Sequence, residues 1–92
     1  MNNYSYIRLT PYEAHEAACL ISSIDNNLDY DNSREILYKG YQEGIVYGVI
    51  EGEIEIKNLV GVGIKVEGNI TTYILPEITN QVKQDLQEIL TK

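Results

Sequence analysis

The sequence predicts an α+β domain: a mainly antiparallel sheet of about four strands with three helices, in the order β-α-α-β-β-β-α. Three observations carry this. Ile54, Ile56, Val60, Val62, Ile64 and Val66 share one parity along residues 53–67, against Glu53, Glu55, Lys57, Gly61, Gly63, Lys65 and Glu67 on the other. Successive strand side chains point to opposite faces, so this pattern is a strand, or two meeting at a kink near Lys57-Asn58-Leu59. Thr10-Pro11-Tyr12-Glu13 has the residues of a helix start, and Ile78, Val82, Leu86, Ile89 and Leu90 repeat at helical spacing near the C-terminus. The 92 residues are read as a single domain spanning 1–92.

The first strand runs from Tyr4 to Leu9, with Ser5, Ile7 and Leu9 on one side and Tyr4, Tyr6 and Arg8 on the other. Thr10 then caps a helix, with Pro11 at its first position and Glu13 completing a capping box. Ala14, Ala17, Ala18, Ile21 and Ile24 form its buried stripe. An acidic loop follows, and Asn32 with Glu35 predicts a second helix over 33–43, stopped by Gly44. Ile36, Leu37, Gly40 and Tyr41 face inward on it.

Ile45 to Ile50 is the next strand, and Glu51-Gly52 predicts a tight turn into Glu53. That turn places Ile45, Tyr47 and Val49 on the face of Ile54 and Ile56. Gly68-Asn69 suits a type II′ hairpin that pairs Val66 with Thr71, Ile64 with Tyr73 and Val62 with Leu75. The strand glycines Gly48, Gly61 and Gly63 lie on the opposite face, read as a twisted sheet surface partly covered by a helix. In the last helix Glu77 near the start and Lys92 at the end suit the dipole.

Composition narrows the function classes. Fourteen acidic residues against seven basic ones give a net charge of −7, which disfavours binding to a nucleic-acid backbone and favours basic partners. A lone cysteine, Cys19, cannot form an intrachain disulfide, so a reducing cytoplasm is the expected compartment. The N-terminal residues lack the basic and apolar regions of a signal peptide, and no stretch reaches a membrane span, so no membrane role is expected. Eight Tyr stand with no Phe and no Trp; some must serve as core, others as interface anchors.

Candidate sites are few. His15 and Cys19 lie one turn apart, but no second His or Cys exists to complete a metal site, and no orienting third group for a catalytic pair is evident. Asp25, Asn27, Asp29 and Asp31 alternate as in a calcium loop, but Tyr30 stands where the turn needs Gly and Ile36 where a bidentate Glu is needed. No metal, cofactor or catalytic residue is assigned.

Ile7-Arg8-Leu9-Thr10 before an Ala-rich helix, Tyr47-Gly48-Val49-Ile50-Glu51-Gly52-Glu53, Val60-Gly61-Val62-Gly63 and Leu75-Pro76-Glu77 together resemble the N-terminal part of a GCN5-related N-acetyltransferase. The resemblance implies that family's opening strands and helices, about two-thirds of its fold. It does not extend to the glycine-rich acetyl-CoA loop: the corresponding run is Ile78-Thr79-Asn80-Gln81-Val82-Lys83-Gln84, with no glycine to let backbone N–H groups close on pyrophosphate. It therefore implies a truncated, degenerate relative.

The residues favour a non-enzymatic protein over an enzyme. The leading reading is a small acidic inhibitor of a basic protein, of the toxin-immunity or phage anti-defence type. Asp29, Tyr30, Asp31, Tyr38, Glu51, Glu53 and Glu55 would form its contact surface. The alternative is a small-ligand module or degenerate acyltransferase-like protein, with Gly61 and Gly63 admitting a ligand and Tyr47 or Tyr73 stacking on it. A homodimer through the sheet edge is compatible with either.

Overall fold

β1 (Tyr4–Arg8) leads through a 3-10 turn at Pro11–Glu13 into α1 (Ala14–Ile24). α2 (Tyr30–Glu43) runs straight into β2 (Gly44–Glu51), and a loop with a 3-10 turn at Ile56–Asn58 precedes β3 (Leu59–Val66). β4 (Asn69–Ile74), a 3-10 turn at Pro76–Ile78 and α3 (Thr79–Leu90) complete the chain. This computed structural model describes residues 3–91, so Lys92, assigned above to a helix dipole, lies outside the described residues. The element order and the α+β class match the sequence expectation. No helix among the described residues is long and apolar enough to cross a membrane.

The strands form one antiparallel sheet in the order β1-β2-β3-β4, with β1 and β4 at its edges. Helices cover both faces. α1 packs on β3 and β4 and α2 on β2 and β3, closing a core of Leu9, Ala17, Ala18, Ile21, Leu37, Val46, Val62 and Ile64. On the opposite face α3 packs on β4, β3 and β2, where Val82 and Leu86 meet Val49 and Ile74.

Local chemistry explains the helix starts. Thr10 accepts the Tyr12 N–H at 3.3 Å and donates its hydroxyl to Glu13 Oε2 at 2.6 Å, so the cap is a side-chain pair. α2 starts earlier than expected. Asp29, not Asn32, is the cap: its Oδ1 accepts the Asn32 N–H at 2.8 Å. The buried Ser33 hydroxyl bonds back to the Asp29 carbonyl, and the earlier start brings Tyr30 against the core.

Two strand registers differ from the sequence reading. The β3–β4 turn is Glu67-Gly68, with φ of 50° and 82°, a type I′ geometry in which both central residues are left-handed. Val66 pairs with Asn69, Ile64 with Thr71 and Val62 with Tyr73; the slip preserves which residues share a face. The second difference inverts a face. Val46 pairs with Ile64 and Gly48 with Val62, so Val46, not Ile45, Tyr47 and Val49, shares the face of Val62 and Ile64. The cause is the connection: residues 52–58 form a long loop with its own 3-10 turn, not a tight turn at Glu51-Gly52. Ile54, expected in the core, is 66% exposed in that loop. A bulge adds to the shift, since Val49 faces Gly61 while Ile50 faces Leu59, leaving Val60 extra.

Candidate functional site

The direction of each element sorts the acidic residues. α1 leaves the end of β1 and α2 runs directly into β2, so the α1–α2 loop lies at the same end of the sheet as the β2–β3 loop. Packing agrees: Leu28, Tyr30, Ile56, Leu59 and Tyr73 all meet the α1/α2 core. Tyr73 is pushed above its ordinary pKa by burial and by the charge of Asp25. This loop end gathers Asp25, Asp29, Asp31, Glu51, Glu53, Glu55 and, after β4, Glu77, with Lys57 on the β2–β3 loop and Arg34 one turn into α2 as bases beside them. At the hairpin end, Arg8, Lys39 and Lys65 offset Glu13, Glu43 and Glu67.

Several of these acids also brace the chain. Asp25 Oδ1 accepts the Asn27 N–H at 3.0 Å, and Asp29 caps α2. Glu53 holds its loop through its carbonyl, which takes the Glu55 N–H at 2.8 Å and the Asn58 side chain at 2.9 Å. Glu55 pairs with Lys57 at 3.1 Å in an exposed ion pair worth little. Asp31 and Glu51 are exposed. The alternating aspartates form no cation cage: among the described residues no three His, Cys, Asp or Glu side chains converge as a metal site would need.

Tyr30 and Tyr38 are joined by Arg34, a residue the sequence reading did not single out. Its guanidinium donates to both hydroxyls, to Tyr30 at 3.2 Å, and lies 5.8 Å and 5.2 Å from their ring centroids. These hydrogen bonds, first that to Tyr30, hold Arg34 above its ordinary pKa. The spacing Tyr30, Arg34, Tyr38 along one helical stripe is the signal that could have found it. The Tyr30 hydroxyl also meets His15 Nδ1 at 2.7 Å, and His15 Nε2 lies 3.8 Å from Cys19 Sγ. His15 thus does have an orienting partner, contrary to the sequence reading, but the group sits exposed on the outer helix surface. Tyr30 joins α1 to α2 through His15, Tyr38 touches Arg34 and Tyr41 of its own helix, and Glu51, Glu53 and Glu55 lie on the separate β2–β3 loop.

A second feature was missed altogether. One helix is about 10 Å wide, whereas four strands about 4.8 Å apart span more than that. α3 packs chiefly on β2 to β4 and meets β1 only along its margin, where Tyr4 and Tyr6 pack against its cluster, so the face of β1 is left partly open. A groove of about 640 Å³ results, lined by Asn3–Tyr6, by Gly52-Glu53-Ile54 and by Gln81 and Asp85 of α3. The Tyr6 hydroxyl crosses it to donate to Asp85 Oδ2 at 2.5 Å. Burial, then this bond and the Asp85 charge, raise Tyr6 well above the ordinary tyrosine range. In contrast, Gly61 and Gly63 leave no ligand space. A Cβ on Gly63 would lie 3.0 Å from Leu90 and 3.2 Å from Leu86, and one on Gly61 would lie 3.4 Å from Ile74 and Val49.

No family model, no curated protein and no solved structure matches the chain.

Proposed function

We propose that this protein binds a basic protein and occupies the surface that partner would otherwise present to a polyanion. The observation that carries the reading is the convergence of Asp29, Asp31, Glu51, Glu53 and Glu55 from two separate loops at one end of the sheet. A field of one sign concentrated on one end steers a cationic surface during encounter and aligns it on contact. Binding needs no chemistry, and nothing in the proposal assigns a catalytic group. The N-acetyltransferase resemblance adds no activity to this reading, since the start of α3 at Thr79 has no glycine to close on a pyrophosphate.

The experiment is affinity capture from lysate, washed at low and high salt, with the wild type and a Glu53→Lys/Glu55→Lys variant. A basic protein retained at low salt, shed at high salt and lost by the variant is the expected result. Equal capture by the variant would move the interface away from the loop end. A small molecule released on denaturation, with no protein retained, would overturn the reading.

A further inference from the structure

We propose that the groove between α3 and β1 takes an extended cationic segment, added to the sheet as a fifth strand beside β1, with a lysine or arginine side chain lodged against Tyr6, Glu53 and Asp85. This rests on the binding function proposed above and names how the basic partner is held.

The first support is the backbone. β1 is an edge strand. The Leu9 N–H donates to the Val46 carbonyl at 2.8 Å and the Gly52 N–H to the Asn3 carbonyl at 2.9 Å, which fixes the phase of the ladder. In an antiparallel pair, alternate residues exchange both bonds with the partner strand. Residues of the Asn3, Ser5, Ile7 and Leu9 parity therefore point their amides at β2. Tyr6 and Arg8 point theirs outward, where an added strand would bond.

The second support is the side-chain environment beneath that edge. Glu53 and Asp85 carry the charge of the groove, and its other walls are Asn3, Tyr4, Ser5, Tyr6, Gly52, Ile54 and Gln81, with no Lys or Arg. Asp85 receives one hydrogen bond from Tyr6; an ionised carboxylate accepts more. An apolar side chain would strip water from these acids without replacing it. A cation would be paired by them and could lie against the tyrosine rings. The volume, about 640 Å³, falls within the ~300–1,000 Å³ usual for small-ligand sites.

Register adds selectivity. Arg8 lies on the same face as Tyr6, two residues along, so the incoming residue opposite Arg8 must be neutral or acidic. The site accepts a cation near Tyr6 and rejects one at Arg8. At the other edge, Ile70 of β4 pairs with Lys65 of β3 and Thr72 with Gly63, so the strand pair there presents a lysine beside the edge. A second copy of the chain is the competing occupant, but a charge of −7 on each copy opposes it.

The test uses the intact 92-residue chain, followed residue by residue by NMR, with acetyl-Glu-Val-Arg-Val-Arg-amide as the probe. Its control carries Gln for both Arg. The expected result is salt-sensitive shifts at Tyr6, Arg8, Glu53 and Asp85, with Ile70 to Ile74 unmoved. The Gln peptide should bind about tenfold more weakly, as should the Arg peptide to Asp85→Asn. Unchanged shifts elsewhere in the variant's spectrum show that it is folded. Equal binding of the two peptides, shifts confined to the loop end, or a stable dimer through β1 by sedimentation would each overturn the proposal. Lysate capture separates the two readings. If Asp85→Asn retains a basic partner undiminished, the groove assignment fails while the binding function stands. If the peptide docks in the groove but no basic protein is captured, the reverse holds.

Discussion

The two faces of the sheet are closed by different means. Under α1 and α2 the seal is aliphatic: Ile21, Leu37, Val46 and Val62 are fully buried, with Ile7 and Leu9 of β1 drawn into the same core. Under α3 the seal reaches only part of the way, and Tyr4, Tyr6 and Tyr47 line the margin beside Val49 and Leu86. Two helices can cover four strands and one cannot. A chain without Phe or Trp fills the uncovered strip with the residue that tolerates both packing and water. The tightly closed face should therefore set stability and the loosely closed one should be free to carry function.

The largest test of that contrast is Leu37→Ala. It opens a cavity in the closed face and should cost ~2–5 kcal/mol in chemical unfolding; a loss below ~1 kcal/mol would mean that this core is not the stabilising one. Next comes a pair of glycines, one on each face. A Cβ on Gly40 of α2 would meet Val46 at 2.7 Å and Ile64 at 2.8 Å, both β-branched and stiff. The atoms nearest a Cβ on Gly63 would be the δ-methyls of Leu86 and Leu90, at 3.0–3.2 Å, at the far ends of side chains that are unbranched at Cβ and can shift more readily. Gly40→Ala should destabilise by ~1–3 kcal/mol despite the better helix propensity of alanine, and Gly63→Ala by less than ~1 kcal/mol. The reverse order in thermal melts would invert the comparison.

Alkaline pH probes both faces at once. Tyr6 on the open face and Tyr41 and Tyr73 on the closed one all have raised pKa values, each chiefly by burial, Tyr41 to about 12. Unfolded tyrosines ionise near pH 10. Above that pH the unfolded chain sheds protons that the folded chain keeps, so stability is intact below pH ~10 and falls as pH climbs toward the folded-state values. Denaturant midpoints that stay flat well above that pH would contradict the burial of these rings. The smallest effect belongs to Tyr41, whose hydroxyl is buried with no hydrogen-bond partner among the described residues. Tyr41→Phe removes a group that costs free energy to bury and should leave stability unchanged or raise it by up to ~1 kcal/mol; a clear loss would show that the hydroxyl is bonded after all.

Much of the fold was legible because its signals are local. The Thr10-Pro11 start, the Ala14–Ile21 stripe, the parity of β1 and the apolar repeat of α3 need only neighbours in sequence. β2 was misread because Val46, Val49 and Ile50 are buried on both parities; a strand between two helical layers does not alternate. The α2 start was ambiguous because Asp29 and Asn32 are both capable caps. The acidic loops could be named from sequence, but their gathering at one end depends on element direction. The groove depends on where α3 runs out, and Asp85, far from Tyr6 in the chain, carried no local signal.

The position of β1 has a consequence in time as well as in space. Its ladder to β2 must close across α1 and α2, which lie between the two strands in the chain, and long loops cost entropy before their contacts reward it. A strand held on one side only, and joined to its neighbour across that long separation, should open before the interior strands β2 and β3. The Ile7 amide, directed at β2, should then exchange with solvent faster than that of Val62 within β3; equal protection would show that β1 opens only with the whole sheet. Because a ligand that binds only the closed form suppresses opening, a segment added to β1 would register as slowed exchange along that strand.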